Sequence, residues 1–532
     1  MKKYLLFLFF LKCFVVEGQV MFQKTYGTGM EEYFLTHQTS DGGYILYGYS
    51  AGFGLGYVSD IYLVKINSVG DTLWTAVFER ESTGTLWYGC NETNDHGFVV
   101  TWETFDSTVN AHVACIMKID SLGSEVWSQS YRCLQSAFLN TFYPSTAKQT
   151  ADGGYIITGT GNLGFSQDFD IILMKTDSTG NVEWCQSFVA PNHDGGIDVI
   201  EVQGGYVIYG VTDLQFNPSA RCLIKTDLLG NLLWSRHYGG NGVPPAYGIS
   251  FDRTADGGFI LIGGDASIVI TKTDSMGLPI WSVNYWNYDG SSYANSVKST
   301  NDGGYLIAGT EQDSLGWKML LLKIDSVGGI IFEKVYGPNY GPSYGTDGGY
   351  AEQTADGGYI ICGTLDTVMD YRSFLVKTDA NGNSGCEEAT YAFNVTNFVT
   401  QSYIPPFIAY TGQMTSSTRA IRSARGGSIK TRCISVGTSK TEGENQAITI
   451  SPNPFHTSAT LTTSWHPDSY RDAAGNLQLN IYSTMGTLVR SEGISNLSSY
   501  SLHRGELCEG LYFYELRSNN YELIGTGKFI IE

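Results

Sequence analysis

The 532-residue chain has a formal charge of −20, 16% charged residues, 13% aromatics and 64 glycines. That length accommodates two or more domains with proper cores, and the acidic balance argues against a nucleic-acid partner, since phosphate contacts need a basic surface. Plentiful aromatics and glycines suit half-buried strands joined by tight turns, so the composition points to an all-β protein.

The chain opens MKKYLLFLFFLKCFVVEGQ. Lys2 and Lys3 make a positive start, residues 4–16 an apolar stretch, and Val16-Glu17-Gly18 puts small residues at −3 and −1 before Gln19. This predicts a secretory signal peptide over 1–18, cleaved between Gly18 and Gln19, too short and wrongly flanked to span a membrane. Lys12 stands where lipidation of Cys13 would need a small residue. No other run nears the ~20 apolar residues of a spanning helix, so no transmembrane segment is expected.

Downstream of that site stand nine cysteines: Cys90, Cys115, Cys133, Cys185, Cys222, Cys362, Cys386, Cys433 and Cys508. Their odd number and spacing argue against zinc. Cys115, Cys222 and Cys362 read as small core residues. Cys386 and Cys433 bracket an irregular segment and are the candidate disulfide of an oxidising compartment.

From Ser40 onward a short stretch keeps returning, ending in Tyr44, Phe98, Tyr155, Tyr206, Phe259, Tyr305 and Tyr359 plus an apolar pair. QTADGGYII stands at residues 149–157 and again at 353–361. A second signature follows each copy: KIN, KID or KTD at Lys65, Lys118, Lys175, Lys225, Lys272, Lys323 and Lys377. The seven repeats are 46 to 57 residues apart, a propeller-blade period. Each resolves into four short strands, with Asp-Gly-Gly as the turn between the first two and Asp-Ser-x-Gly between the last two. An aromatic stands seven residues after the second Asp or Asn, at Trp74, Trp127, Trp184, Trp234, Trp281 and Phe332. The seventh repeat lacks it, whereas residues 20–27 (VMFQKTYG) match FEKVYG, with Phe22 in the aromatic place. The expectation is a seven-bladed β-propeller over 19–383, closed by this N-terminal strand so that no edge is left open.

The full pattern resembles the β-propeller repeats of secreted Bacteroidetes proteins, over about residues 19–379. It departs from the sialidase Asp-box, where Gly and Trp come two and five residues after Asp, so that activity is not implied.

The pattern lapses over 384–446, read as a linker with marginal structure that a Cys386–Cys433 disulfide would support. Residues 447–532 show alternating strands with turn residues every 8–12 positions, the pattern of a small Ig-like β-sandwich. They also resemble the C-terminal sorting domain of the type IX secretion system. Pro452-Asn453-Pro454, Ile481-Tyr482 with Gly486, Gly510-Leu511-Tyr512 and Lys528-Phe529-Ile530 carry the likeness. The resemblance implies the Sec and type IX export machinery as partners, with secretion or display at the outer-membrane surface.

Functional candidates follow from the hairpins. The strand two-to-three and four-to-one connections vary and share one face, where binding residues usually sit. They carry Phe53, Tyr57, Trp102, Phe105, Phe165, Phe216, Trp317, Tyr340, Tyr344 and Tyr371. Such aromatics suit sugar stacking or a protein interface, or else pack loops onto the sheets. Strand one carries His37, Asn91, Lys148, Asp252, Lys298 and Glu352, a mixed ring that could serve acid–base chemistry or simply join neighbouring repeats. His193-Asp194 is a weak metal or ligand candidate, and no Ca²⁺ loop is present. Asp-Ser/Thr-apolar triplets such as Asp120-Ser121-Leu122 resemble a Bacteroidetes O-glycosylation pattern, which turn chemistry also explains. The preferred reading is a non-enzymatic binder of glycan or protein with no catalytic residues, metal or cofactor; the alternatives are an extracellular carbohydrate-active enzyme and a passive structural or adhesin repeat.

Overall fold

The computed structural model describes residues 19–27, 32–51, 53, 60–78, 89–106, 110–133, 141–162, 168–191, 193–212, 220–239, 250–264, 267–287, 291–313, 316–338, 345–367, 370–390, 392–398, 400, 402–403, 407–412, 414–418, 423–424, 428–436, 448–463, 477–483, 488–494, 500–505, 507–518 and 523–531. The chain forms two compact units, 1–438 and 439–532. Every regular element among the described residues is a strand.

Each repeat is an antiparallel meander. In the third, Phe142–Gln149, Tyr155–Gly161, Asp170–Thr176 and Val182–Val189 pair in chain order. Tyr155 faces Thr176, and Lys175 faces Trp184 across the last hairpin. Strands two and three are buried almost throughout, because both faces of each sheet are covered by neighbours. One apolar core lies between repeats one and two, another between two and three, and so on to six and seven. A seventh, with Phe22, Tyr44, Leu46, Ile360 and Leu375, joins repeat seven back to repeat one. The sheets of repeats six and seven also touch through one parallel pair, Trp317 with Gly345.

The N-terminal strand Val20–Gly27 lies antiparallel to Asp370–Thr378, with Phe22 opposite Lys377, as fourth strand of the seventh repeat. Its far edge is covered too. Residues 388–436, expected as a linker, instead add a fifth antiparallel strand to every sheet, in reverse order of the repeats. Glu388–Thr390 joins repeat six, Asn394–Phe398 five, Ser402–Tyr403 four, Ile408–Gly412 three, Met414–Thr418 two, Ser423–Ala424 one, and Ser428–Val436 the N-terminal strand. The segment is a belt around the seven sheets. The reason is that each outer strand leaves a row of free N–H and C=O groups, and a passing chain satisfies them.

The second unit has a three-stranded sheet (Ile448–Ser451, Ser458–Thr463, Tyr500–His503) and a four-stranded one (Leu477–Ser483, Leu488–Ile494, Gly510–Ser518, Leu523–Ile531). They share one core, with Leu461, Leu479, Ile481, Leu502, Leu516 and Phe529 among its fully buried members.

Candidate functional site

The repeated signatures are joints rather than sites. The Asp of each first turn pairs with the repeated Lys on strand three: Asp41–Lys65, Asp95–Lys118, Asp152–Lys175, Asp256–Lys272, Asp302–Lys323 and Asp356–Lys377, all at 2.9–3.0 Å. Burial acts to raise the carboxyl of Asp152, but hydrogen bonds from Thr150, Lys175 and the Gly154 N–H, with the lysine charge, hold it down at about 2. Repeat four has no such Asp, and the Lys225 ammonium has no hydrogen-bond partner among the described residues, only the more distant charge of Asp227. The second turn works between repeats. Tyr131 donates to the Gly180 carbonyl of the next repeat at 2.9 Å, Tyr285 to Gly328 at 2.6 Å, and Tyr26 of the N-terminal strand to Gly70 of repeat one at 2.7 Å. The signature aromatic lies over the same glycine, so a Cβ on Gly180 would stand 2.8 Å from Trp127 and one on Gly70 2.9 Å from Phe22.

The strand-one residues are likewise committed to their neighbours. Lys148 meets Asp198 of repeat four at 2.6 Å, and Asn91 donates to Thr146 and Ala147 of repeat three at 3.1 and 3.0 Å. Asp252 accepts the Ser299 N–H at 2.8 Å, while Lys298 stands 5.4 Å from the Tyr350 ring. Glu352 lies 3.6 Å from His37 and accepts the Gln38 N–H, joining repeat seven to repeat one. Turn residues repeat the theme, the Ala355 N–H donating to Gln38 at 2.8 Å as Ala151 does to Glu201.

The aromatics expected on the variable face divide. Trp102 is 2% exposed within the core between repeats one and two, so it packs and does not bind: strand two runs further than the alternation suggested. Phe53 lies 4.9 Å from Tyr62 and packs against the core between repeats seven and one. Trp317 is half-buried, 6.3 Å from Tyr293. Tyr371 is the second residue of Asp370–Thr378, and its side chain lies outside the described residues, as do Tyr57, Phe165, Phe216, Tyr340 and Tyr344.

A row of rings crosses this face at the edges of repeats two, three and four. Phe105 is 5.3 Å from His112, His112 is 5.4 Å from Tyr143, Tyr143 is 6.0 Å from Phe169, and Phe169 is 5.5 Å from His193. Phe105 is the last residue but one of strand two and His112 the second of strand three of its repeat; Tyr143 is the second of strand one of the next. Phe169 directly precedes strand three of that repeat, and His193 directly precedes strand one of repeat four. Alternating side-chain direction puts one ring at each of these strand ends. The row is accessible at its ends, with Phe105 40% exposed and His193 mostly so. Beneath it the buried Glu103 holds His112 Nδ1 at 2.7 Å, and its Oε1 has no partner among the described residues. Burial, with the Glu103 charge second, raises the Tyr143 hydroxyl above its ordinary value. His193 lies 3.8 Å from Asp168, whereas Asp194, the first residue of its strand and the other member of the weak candidate pair, is buried. Phe105 and His193 were visible as loop residues; Glu103, His112, Tyr143 and Phe169 were not, because their register at a strand end decides their exposure. Among the described residues no group of three His, Cys, Asp or Glu could hold a metal.

In the second unit, Asn453 accepts the Ile530 N–H at 2.8 Å and Phe455 donates to Ile530 at 3.1 Å, so the Pro452-Asn453-Pro454 stretch is fastened to the last strand. Gly510 opens a strand at φ 147°, and Tyr512 stacks on Phe529 at 5.6 Å. Burial lowers the Lys528 ammonium to about 8. Gly486 lies outside the described residues.

No curated protein matches the chain. Among solved structures, the extracellular domain of a protein assigned to the hybrid two-component systems of B. thetaiotaomicron aligns over 94% of this chain and 77% of its own, at 11% identity and a TM-score of 0.18. That likeness carries no argument. No helix among the described residues is long and apolar enough to cross a membrane. Residues 449–532 match the secretion system C-terminal sorting domain, so this segment is a type IX sorting tail that directs the chain to the cell surface or the medium.

Proposed function

We propose that residues 19–436 form a seven-bladed β-propeller, released from a signal peptide after Gly18, that binds a glycan or an extracellular protein on its loop-bearing face without chemically changing it. The observation carrying the binding reading is the row Phe105, His112, Tyr143, Phe169 and His193. Partly exposed rings side by side offer flat apolar faces to sugar rings, and the neighbouring imidazoles and Asp168 offer hydrogen bonds at the same edge. Tyr293 with Trp317 occupies the corresponding strand ends of repeat six and supports a second contact area. The engagement of His37, Lys148, Asp252 and Glu352 with neighbouring repeats favours a binder over an enzyme working at the axis.

The test is a glycan and polysaccharide array probed with the mature protein, each spot also assayed for new reducing ends. Binding without release is expected, weakened roughly tenfold or more by Tyr143→Ala or Phe105→Ala, since an aromatic platform contributes about 1–3 kcal/mol per stacked ring. Released sugar ends, or binding that ignores both substitutions, would overturn the reading.

A further inference from the structure

The belt begins and ends at one residue. Gln23, in the middle of the N-terminal strand, donates through Nε2 to the Cys386 carbonyl at 2.7 Å and to Ser384 Oγ at 3.0 Å, just before the first belt strand. On the strand's other side, Gln23 is the register partner of Cys433 in the last belt strand. Cys386 is disulfide-bonded. Cys90, Cys115, Cys185, Cys222, Cys362 and Cys508 are free thiols. Downstream of residue 18 this leaves Cys433, whose strand register brings it to Gln23, and Cys133, which pairs with Met414 on the sheet of repeat two.

We propose that Cys386 and Cys433 are joined, so that the belt is a covalently closed hoop around the seven sheets, completed only after the chain leaves the reducing cytoplasm. In forming the bond the two thiols give up two protons and two electrons to a protein disulfide oxidant, which becomes a dithiol. The closure matters because the belt is weak piece by piece. Ser402–Tyr403 and Ser423–Ala424 are two residues long, and Glu388–Thr390 three. Strands that short on a sheet edge open locally, and an open-ended belt can peel from either end. Tying the ends removes both peeling routes and lowers the entropy of the detached segment. The same bond holds the seam at which the N-terminal strand meets repeat seven. The hoop rests on strand pairing alone and is independent of what the loop face binds.

Two measurements on the secreted full-length protein test this. In a non-reducing digest the peptide containing Cys386 is expected linked to the one containing Cys433; linkage to any other cysteine, or a free thiol at 433, overturns the assignment. Hydrogen exchange then compares wild type with Cys433→Ser and with Cys386→Ser/Cys433→Ser. Amides of the belt strands and of Val20–Gly27 are expected to exchange roughly tenfold faster in both variants, equally, with strands two and three of each repeat unchanged. Belt protection that survives loss of the bond overturns the hoop.

Discussion

Two glycines with nearly the same backbone angle do different things here. Gly153, in an Asp-Gly-Gly turn, has φ +84° and open space where a Cβ would go; Gly180, in a second turn, has φ +83° and would place its Cβ 2.8 Å from Trp127. The first glycine serves only its own turn, the second also seats the aromatic of the preceding repeat. Gly153→Ala is therefore expected to cost about 1 kcal/mol of stability, the price of a left-handed non-glycine residue. Gly180→Ala adds overpacking and should cost about 2–4 kcal/mol. Denaturant midpoints at unchanged slope will separate them, and equal losses would refute the joint. The turn chemistry was legible in the sequence, because Asp-Gly-Gly and Asp-Ser-x-Gly announce themselves locally. Their second partners were not: a lysine two strands away and a tyrosine or tryptophan one repeat away become neighbours only through the packing.

Among elements the belt is the one that pattern reading missed. Its strands are two to nine residues long and lie on edges supplied by residues up to hundreds of positions earlier, so no period betrays them. One titratable group reports on its attachment. His237, opposite Tyr403 in the register and 5.8 Å from the belt's buried Phe407, is held neutral by burial, which lowers it from 6.5 to about 4. The unfolded chain takes up the proton first, so stability contributed by the neutral ring is complete above pH 6.5 and falls as pH drops towards 4. A gap of that size corresponds to about 3 kcal/mol. Asp41, Asp95, Asp152 and Asp302, held near 2 despite their partial burial, add a second loss as pH falls from 3.8 towards 2. Unfolding followed from pH 8 down to about 2 should show the upper step in wild type and not in His237→Phe, with the lower step in both; an upper step that persists in the variant would assign it elsewhere.

On the scale of the whole molecule, export and architecture were separable from the outset. The sorting tail carries its address in local residues, several of which pack on its own last strand. Deletion of 449–532 is expected to leave a folded protein retained on the cell side of the outer membrane, checked by fractionation and by protease resistance of 19–436; undiminished export would show that the tail is dispensable. The all-β class, the seven repeats, the aromatic role of Phe22 and the export tail were determined by the sequence, because each is written in periodic or contiguous residues. Which aromatics face outward, which neighbours the strand-one charges meet, and that a segment without pattern edges every sheet were decided only in the tertiary structure, because exposure and edge pairing depend on register and on neighbours far away in the chain.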